Sequence, residues 1–348
     1  MAPLPDDERR PVCVVAEPIH QAGIDYLRAH GVEVRFAPER VLERVPDLLA
    51  QADAIVVRSA LSAAAIDASP RLKIIANHGT GTDAVDVAHA TRRGVPVSCT
   101  PDTNVASVAE HALMLMLAVA RQATRADAAT RAADRRFRYD EPLLSLRGRT
   151  LGVAGFGRTG RLVAQLAAGI GMKIAVWSPR SAADDIERAG YARAKTLHEL
   201  LAQADVVSLH RPLRADTQHM LDRAALAVMK PSAIVVNTSR GGLIDEAALA
   251  DAIRAGRLHG AGLDVLAQEP MAAASPLAKL ERVVLSPHVA GSTQEALRET
   301  ALQCAADVVD ALAGRRPRDL ANPQVWDLAA SPPLETQRDQ RGSTASSL

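Results

Sequence analysis

The stretch Thr150-Leu-Gly-Val-Ala-Gly155-Phe-Gly157-Arg-Thr-Gly160-Arg-Leu-Val-Ala decides the fold. A short apolar run, Leu151–Ala154, leads straight into G-x-G-x-x-G, and the residues after Gly160 continue at helical spacing. Such a strand-to-helix turn has a physical use. The first glycine permits the tight turn, the second lets the backbone approach a pyrophosphate, and the third allows close helix–strand packing. The helix N-terminus then offers unpaired N–H donors. The next candidate strand, Lys173–Trp177, follows at the βαβ distance. Gly155, Phe156, Gly157, Arg158, Thr159 and Gly160 therefore read as a dinucleotide cradle.

Outward from this loop, short β-branched runs alternate with longer helical stretches, the pattern of parallel sheets with crossover helices. The candidate strands before it are Val12–Ala16, Val32–Phe36, Ala54–Val57, Lys73–Ala76 and Val95–Ser98. From the loop onward they are Leu151–Ala154, Lys173–Trp177, Asp205–Leu209, Ala233–Asn237, Gly260–Val265 and Val283–Leu285. Five strands and then six predict an α/β protein of two doubly wound parallel-sheet domains, the second of them a Rossmann dinucleotide-binding domain. Between the series, Ser107-Val-Ala-Glu110 reads as a capping box before an apolar run, so a long helix is expected to start there and link the domains. The Ala-, Arg- and Asp-rich stretch Arg121–Arg138 fits either a solvated helix or an arm gripping a second subunit. A last helix is expected over Gln294–Ala313, and the Pro-, Ser- and charge-rich segment 327–348 reads as a disordered tail.

Composition narrows the function classes. The 348 residues carry 41 Lys+Arg against 40 Asp+Glu and only 2% aromatics, which speaks against nucleic acid as a partner. The longest apolar run, Ala112–Ala120, is far shorter than the ~20 residues that span a bilayer, so no membrane partner is expected. The N-terminal residues lack the unbroken apolar stretch of a secretory signal. Cys13, Cys99 and Cys304 form no Cys-x-x-Cys pair, and a reducing cytoplasm is the expected location. No metal site is apparent, because the histidines lack ligand spacing with acids or cysteines.

The end of the second strand after the loop carries more information. A binder of NAD places Asp or Glu there to accept from the adenosine ribose hydroxyls. This chain reads Ser178-Pro179-Arg180-Ser181, with no carboxylate to repel a 2′-phosphate and with Arg180 as its candidate partner. NADP is therefore expected to be preferred over NAD, the alternative being NAD held without the acidic anchor.

Three polar segments follow later strands: Asn237-Thr-Ser-Arg240-Gly-Gly-Leu-Ile-Asp245, Asp264-Val-Leu-Ala-Gln-Glu269-Pro270 and Ser286-Pro-His288-Val-Ala-Gly291-Ser-Thr. In open α/β sheets ligands bind outside the carboxyl ends of strands, so these segments are expected to converge. Together with the glycine loop and His210-Arg-Pro212-Leu213…Thr217, they make the chain resemble the D-isomer-specific 2-hydroxyacid dehydrogenases from about Val12 to Asn322. That family includes D-3-phosphoglycerate dehydrogenases and glyoxylate/hydroxypyruvate reductases.

The resemblance implies a flavodoxin-like substrate domain, 1–102 plus 294–326, into which a nucleotide domain, 103–293, is inserted. Arg240 matches the arginine that binds the substrate carboxylate, His288 the general acid/base, and Glu269 the carboxylate that orients that histidine. Asp264 matches the acid that holds the nicotinamide carboxamide. His210, Pro212, Thr217, Thr238, Ser239, Ala290 and Gly291 match cofactor-lining positions. Gly79, Thr80 and Gly81 match the loop whose amides receive the substrate carboxylate, and Arg58 matches a contact to the substrate's distal group. The family also implies a homodimer.

Two departures bear on the substrate. Many phosphoglycerate dehydrogenases carry a second basic residue where this chain has Asn77, and longer ones add a regulatory domain. Both favour a small unphosphorylated 2-keto acid such as hydroxypyruvate or glyoxylate. A D-3-phosphoglycerate dehydrogenase of serine synthesis remains the alternative, and a catalytically idle, cofactor-sensing binding protein a second one. A further departure lies in the arm, where Phe137 stands near the family's usual Trp and Gly.

Overall fold

Strands buried on both faces need uninterrupted apolar residues, and the runs that open the chain supply them. The computed structural model describes residues 9–38 and 41–329. They divide into two units. The first takes the described residues up to His78, then Thr82–Cys99 and those from Leu302. Its strands are β1 (Val12–Val15), β2 (Glu33–Phe36), β3 (Ala54–Val57), β4 (Ile74–Asn77) and β5 (Val97–Ser98), all parallel in the order β2-β1-β3-β4-β5. On one face Cys13, Val15, Val56 and Ile74 pack against Ile24 and Leu27 of the helix Gln21–Ala29. Cys304, Ala305, Val308 and Val309 of the helix Gln294–Leu312 complete that layer. On the other, Val14, Ile55 and Ile75 meet Leu49, Ile66 and Ala90. The free side of β5 is met by the backbone of Asp319–Ala321, with Cys99 N donating to Asp319 O and Ala321 N to Val97 O, and by Asn322, whose Oδ1 accepts from Val97 N at 2.7 Å and whose Nδ2 donates to Val95 O at 3.0 Å.

The second unit comprises Gly79–Gly81 and Thr100–Ala301. Its strands are β6 (Thr150–Ala154), β7 (Lys173–Trp177), β8 (Ala192–Arg193), β9 (Val206–Leu209), β10 (Ile234–Asn237), β11 (Gly260–Leu263) and β12 (Val283–Leu285). They form one parallel sheet in the order β12-β11-β10-β9-β6-β7-β8. Both sheets belong to the expected α/β, doubly wound class. The sequence reading missed β8, a two-residue exposed edge strand with no apolar alternation to betray it.

The chain leaves β6 toward β7 and β8, then returns to the opposite side of β6 as β9. That reversal is the switch point at which such sheets bind ligands. The helix Val105–Ala120 packs Leu115, Met116 and Val119 into the core with Val163 and Ala167 of the helix Arg158–Gly169. It starts two residues before the expected capping box. Ser107 is buried inside it, its hydroxyl 2.7 Å from that of Thr293, so the S-x-x-E match is not a cap. The following helix, Ala123–Arg131, buries no residue. The last helix, Gln324–Ala329, runs three residues past Trp326, and the remainder of the segment expected to be a tail lies outside the described residues. Among the described residues no helix is long and apolar enough to cross a membrane.

Candidate active site

Strand register builds the site. Ala154 is paired with Trp177 on one side and Leu209 on the other; Leu209 pairs with Asn237, Asn237 with Leu263, and Leu263 with Leu285. The next residue of each strand therefore falls in a single row along the carboxyl edge of the sheet: Ser178, Gly155, His210, Thr238, Asp264 and Ser286. Six loops separated by up to 130 residues meet there because parallel pairing leaves no choice of side.

At the switch point Gly155 has φ +107°, and a Cβ there would stand 2.3 Å from His210 O. A Cβ on Gly160 would lie 2.1 Å from Gly155 O, so the loop and the helix it opens touch backbone to backbone. Gly157 caps that helix with no side-chain acceptor for its first N–H groups. Phe156 is buried under the Arg161 guanidinium, while Arg158 is exposed and paired with Asp102. Thr159 is half-buried in the first turn.

Around this loop lie polar atoms that are buried and make no hydrogen bond: Thr238 Oγ1, His210 Nδ1 and Arg211 Nε. Burial pushes the His210 imidazole down to about 4, so it is neutral at pH 7, with its Nε2 2.9 Å from Ser208 Oγ. Orphaned donors and acceptors beside a glycine cradle fit a ligand of nucleotide chemistry. Ser178 is buried, its hydroxyl 2.9 Å from that of Ser181 on a loop without a carboxylate; Pro179 and Arg180 are exposed. The Ser239 hydroxyl donates to Leu209 O at 2.9 Å, tying β10 to β9 beyond their last paired residues. Thr217 knits the loop after β9, its hydroxyl donating to Pro212 O and accepting from Arg214 N, both at 2.8 Å.

At the other end of the row stand His288 and Glu269. His288 Nδ1 is 2.8 Å from Glu269 Oε2, and Glu269 Oε1 accepts from Leu266 N at 2.9 Å. The carboxylate thus ties the ring, through Nδ1, to the backbone of its own loop. His288 is held at φ +54°, a conformation that costs a non-glycine residue about 1–3 kcal/mol and persists only where its surroundings impose it. Asp264 imposes it. Its backbone carbonyl accepts from His288 N at 2.8 Å, and its buried carboxylate accepts from Val289 N and Ala290 N at 2.9 Å and from Ser286 Oγ at 2.6 Å. His111 Nε2, 2.8 Å from Ser286 Oγ and 3.4 Å from Asp264 Oδ1, closes this knot.

Arg240 is half-buried in extended backbone directly before the turn Gly241–Leu243. Asn237 sets its loop, donating from Nδ2 to Arg240 O at 2.8 Å and accepting from Ser239 N at 3.0 Å. A Cβ on Gly241 would stand 1.9 Å from the Leu266 carbonyl carbon, so the Arg240 loop and the Glu269 loop lie in direct contact.

The tripeptide Gly79–Gly81 belongs to this same unit. Thr80 Oγ1 is 3.2 Å from Asn104 Oδ1, Gly79 O accepts from Thr100 N at 3.0 Å, and Asn104 also abuts Gly291. Arg58 belongs to the first unit, on the loop after β3. Glu17 accepts from its backbone N at 2.9 Å, and its Nη1 donates to Pro18 O at 3.0 Å.

Sequence reasoning did not assign His111, Ser286 or Arg211. All act through partners distant in the chain, although Ser286 and Arg211 sit inside motifs that were read. Among the described residues no group of three or more His, Cys, Asp or Glu side chains is placed to hold a metal ion.

Comparison with known proteins gives this geometry its context. Residues 113–290 match the family described as D-isomer specific 2-hydroxyacid dehydrogenase, NAD binding domain. The chain is 42% identical over 318 residues to a D-3-phosphoglycerate dehydrogenase of Mycobacterium leprae, covering 90% of this chain and 59% of that protein. It thus spans under two thirds of that relative's length. A glyoxylate reductase of Thermococcus onnurineus is 37% identical over 333 residues, covering 92% of this chain and 98% of that one. Among solved structures, an NADPH-dependent glyoxylate/hydroxypyruvate reductase of Sinorhizobium meliloti in complex with NADP and malonate superimposes with a TM-score of 0.76 at 31% identity, covering 87% and 92% of the two chains. With the nucleotide loop, the paired His288 and Glu269 and these relatives in hand, the chain belongs to the D-isomer-specific 2-hydroxyacid dehydrogenase family.

Proposed function

We propose that the protein interconverts a short 2-keto acid and its D-2-hydroxy acid, using a nicotinamide dinucleotide, with hydroxypyruvate or glyoxylate as substrate. The observation that carries this reading is the Glu269–His288 pair at 2.8 Å, at one end of a strand-end row whose other end is the dinucleotide loop. The nicotinamide, when bound, supplies or takes the hydride. Gly155 to Gly160, Ser178 to Arg180, His210, Pro212, Thr217, Thr238, Ser239, Ala290 and Gly291 hold the dinucleotide. Asp264 serves it by fixing the amides of Val289 and Ala290.

Arg240 receives the substrate carboxylate on its permanently charged planar fork. The Gly79–Gly81 amides, in the same unit, share that carboxylate. His288 Nε2 gives its proton to the carbonyl oxygen as negative charge develops there, help worth about 10²–10⁴-fold. Glu269 stabilises the imidazolium and keeps Nε2 turned toward the substrate. The substrate domain proposed over 1–102 and 294–326 and the nucleotide domain over 103–293 differ from the two compact units at 79–81, 100–102 and 294–301, which pack with the second unit. NADP is preferred over NAD because no carboxylate stands at Ser178 and Arg180 follows it. The arm helix Ala123–Arg131, with no buried residue of its own, contacts a second copy in a homodimer.

Initial rates with NADPH and NADH, each paired with hydroxypyruvate, glyoxylate and, in the reverse direction with NADP or NAD, 3-phosphoglycerate, test the reading. His288→Ala is the control. Turnover of the keto acids, favouring NADPH and lost in the control, is the expected result. Faster turnover of 3-phosphoglycerate would replace the substrate, a reading that the 42% identity to a phosphoglycerate dehydrogenase favours. Nucleotide binding without turnover of any of them would leave a sensor in place of an enzyme.

A further inference from the structure

Arg211, in the loop after β9, is a buried cation without an adequate anion. Its side chain is 7% exposed, and its Nε makes no hydrogen bond. The carboxylate paired with it, on the exposed Asp216, is 3.9 Å away. Two further guanidiniums, those of Arg180 and Arg214, are near enough to disfavour its charge, adding to the effect of burial. Arginine is almost never buried unless paired, and an under-compensated buried charge is destabilising. A buried guanidinium whose Nε is unbonded and whose paired carboxylate stands 3.9 Å away on an exposed residue is suited to an anionic ligand.

Its position names the ligand. The Arg211 guanidinium carbon stands 5.4 Å from the centre of the Trp177 ring, and its Cδ lies 3.2 Å from where a Cβ on Gly155 would be. Trp177 immediately precedes Ser178, the strand-end residue that faces the adenosine ribose in a sheet of this kind. The cation over Trp177 is thus fixed between the dinucleotide loop and the ribose position, where a planar fork can take two oxygens of a phosphate monoester at once.

We infer that Arg211, backed by Arg180 and Arg214, is the buried anchor for the 2′-phosphate of an adenine dinucleotide phosphate. This rests on the reading that the protein prefers NADP. It moves the decisive contact from the exposed Arg180 to a residue whose geometry is set by Trp177 and by the loop that Thr217 braces.

The test is calorimetric titration of the full chain at low ionic strength with adenosine 2′,5′-bisphosphate and with 5′-AMP, which differ only in the 2′-phosphate. Wild type is compared with Arg211→Met, Arg211→Lys and Arg180→Gln. The bisphosphate is expected to bind wild type more tightly than 5′-AMP. Arg211→Met is expected to weaken it by about 10–100-fold and to leave 5′-AMP within about twofold. Arg211→Lys keeps the charge without the fork and is expected to fall between; it also carries the test should the Met variant fail to fold. If wild type prefers the bisphosphate and the Arg211 variants keep that preference while Arg180→Gln loses it, the anchor is Arg180 and this inference is overturned, with the NADP reading intact. If wild type shows no preference, both fall. Equal loss of both ligands in Arg211→Met would make Arg211 a wall of the adenosine pocket and also overturn the inference.

Discussion

Replacing Asp307 by Asn is expected to stabilise the first unit above pH 6 and to change little near pH 4. Asp307 lies on the helix Gln294–Leu312 at 2% exposure. Its Oδ1 accepts from Arg318 N at 3.2 Å, and its Oδ2 meets no donor in good geometry. Burial, with Asp319 and Asp310 adding like charge, pushes the carboxyl up from 3.8 to about 6. The folded state therefore holds this proton more tightly than the unfolded state. Between those two values the unfolded chain has released the proton while the folded one keeps it, so stability falls as pH rises through the window and is level above it. A shift of about 2 units at 1.36 kcal/mol per unit makes the plateau penalty about 3 kcal/mol. Asn retains an acceptor for Arg318 N and removes the charge. Trp326 packs on the core of the first unit and Trp177 belongs to the second, so urea melts followed by fluorescence in a Trp177→Phe background report the first unit alone. The gain should grow from under about 1 kcal/mol at pH 4 to about 3 kcal/mol at pH 8. A gain that does not vary with pH, or a loss at pH 8, would refute the reasoning.

Gly160→Ala places a methyl carbon 2.1 Å from Gly155 O and must move the dinucleotide loop, so nucleotide affinity measured by quenching of tryptophan fluorescence should fall by at least about 10-fold. Glu269→Gln preserves size and the acceptor for Leu266 N but removes the charge beside His288; kcat for keto-acid reduction should drop by about 10–100-fold with KM little changed. Asp264→Asn turns an amide NH₂ or a weaker acceptor toward the N–H groups of Val289 and Ala290, costing about 1–3 kcal/mol in a thermal or urea melt. The same variant should lower kcat by about 100-fold through misplacement of His288, and unaltered kinetics would show that the turn holds itself.

How much of this was legible in the chain differs from element to element. Eleven of the twelve strands among the described residues were legible, most of them because a strand buried on both faces must be continuously apolar; the half-exposed β2, Glu33–Phe36, is the exception to that reason. The glycine spacing at Gly155–Gly160 marked the loop, since few other residues survive backbone contacts near 2 Å. His288, Glu269 and Arg240 could be singled out because their segments follow strands and resemble the family's motifs. Other features were not legible. Ser107 read as a cap but is buried against Thr293, 186 positions away. Nothing in the chain showed that the Asp264 carboxylate accepts from the backbone of the His288 turn, with Ser286 and His111 completing the knot. Arg211 stood unassigned between His210 and Pro212, and only its burial and its place over Trp177 single it out. The sequence by itself determined which segments would be strands, which turn would cradle a dinucleotide and which polar residues would follow the strands. The tertiary structure alone decided which of those residues face one another, because parallel register joins strand ends that lie far apart in the chain, and burial then sets which charges go unpaired.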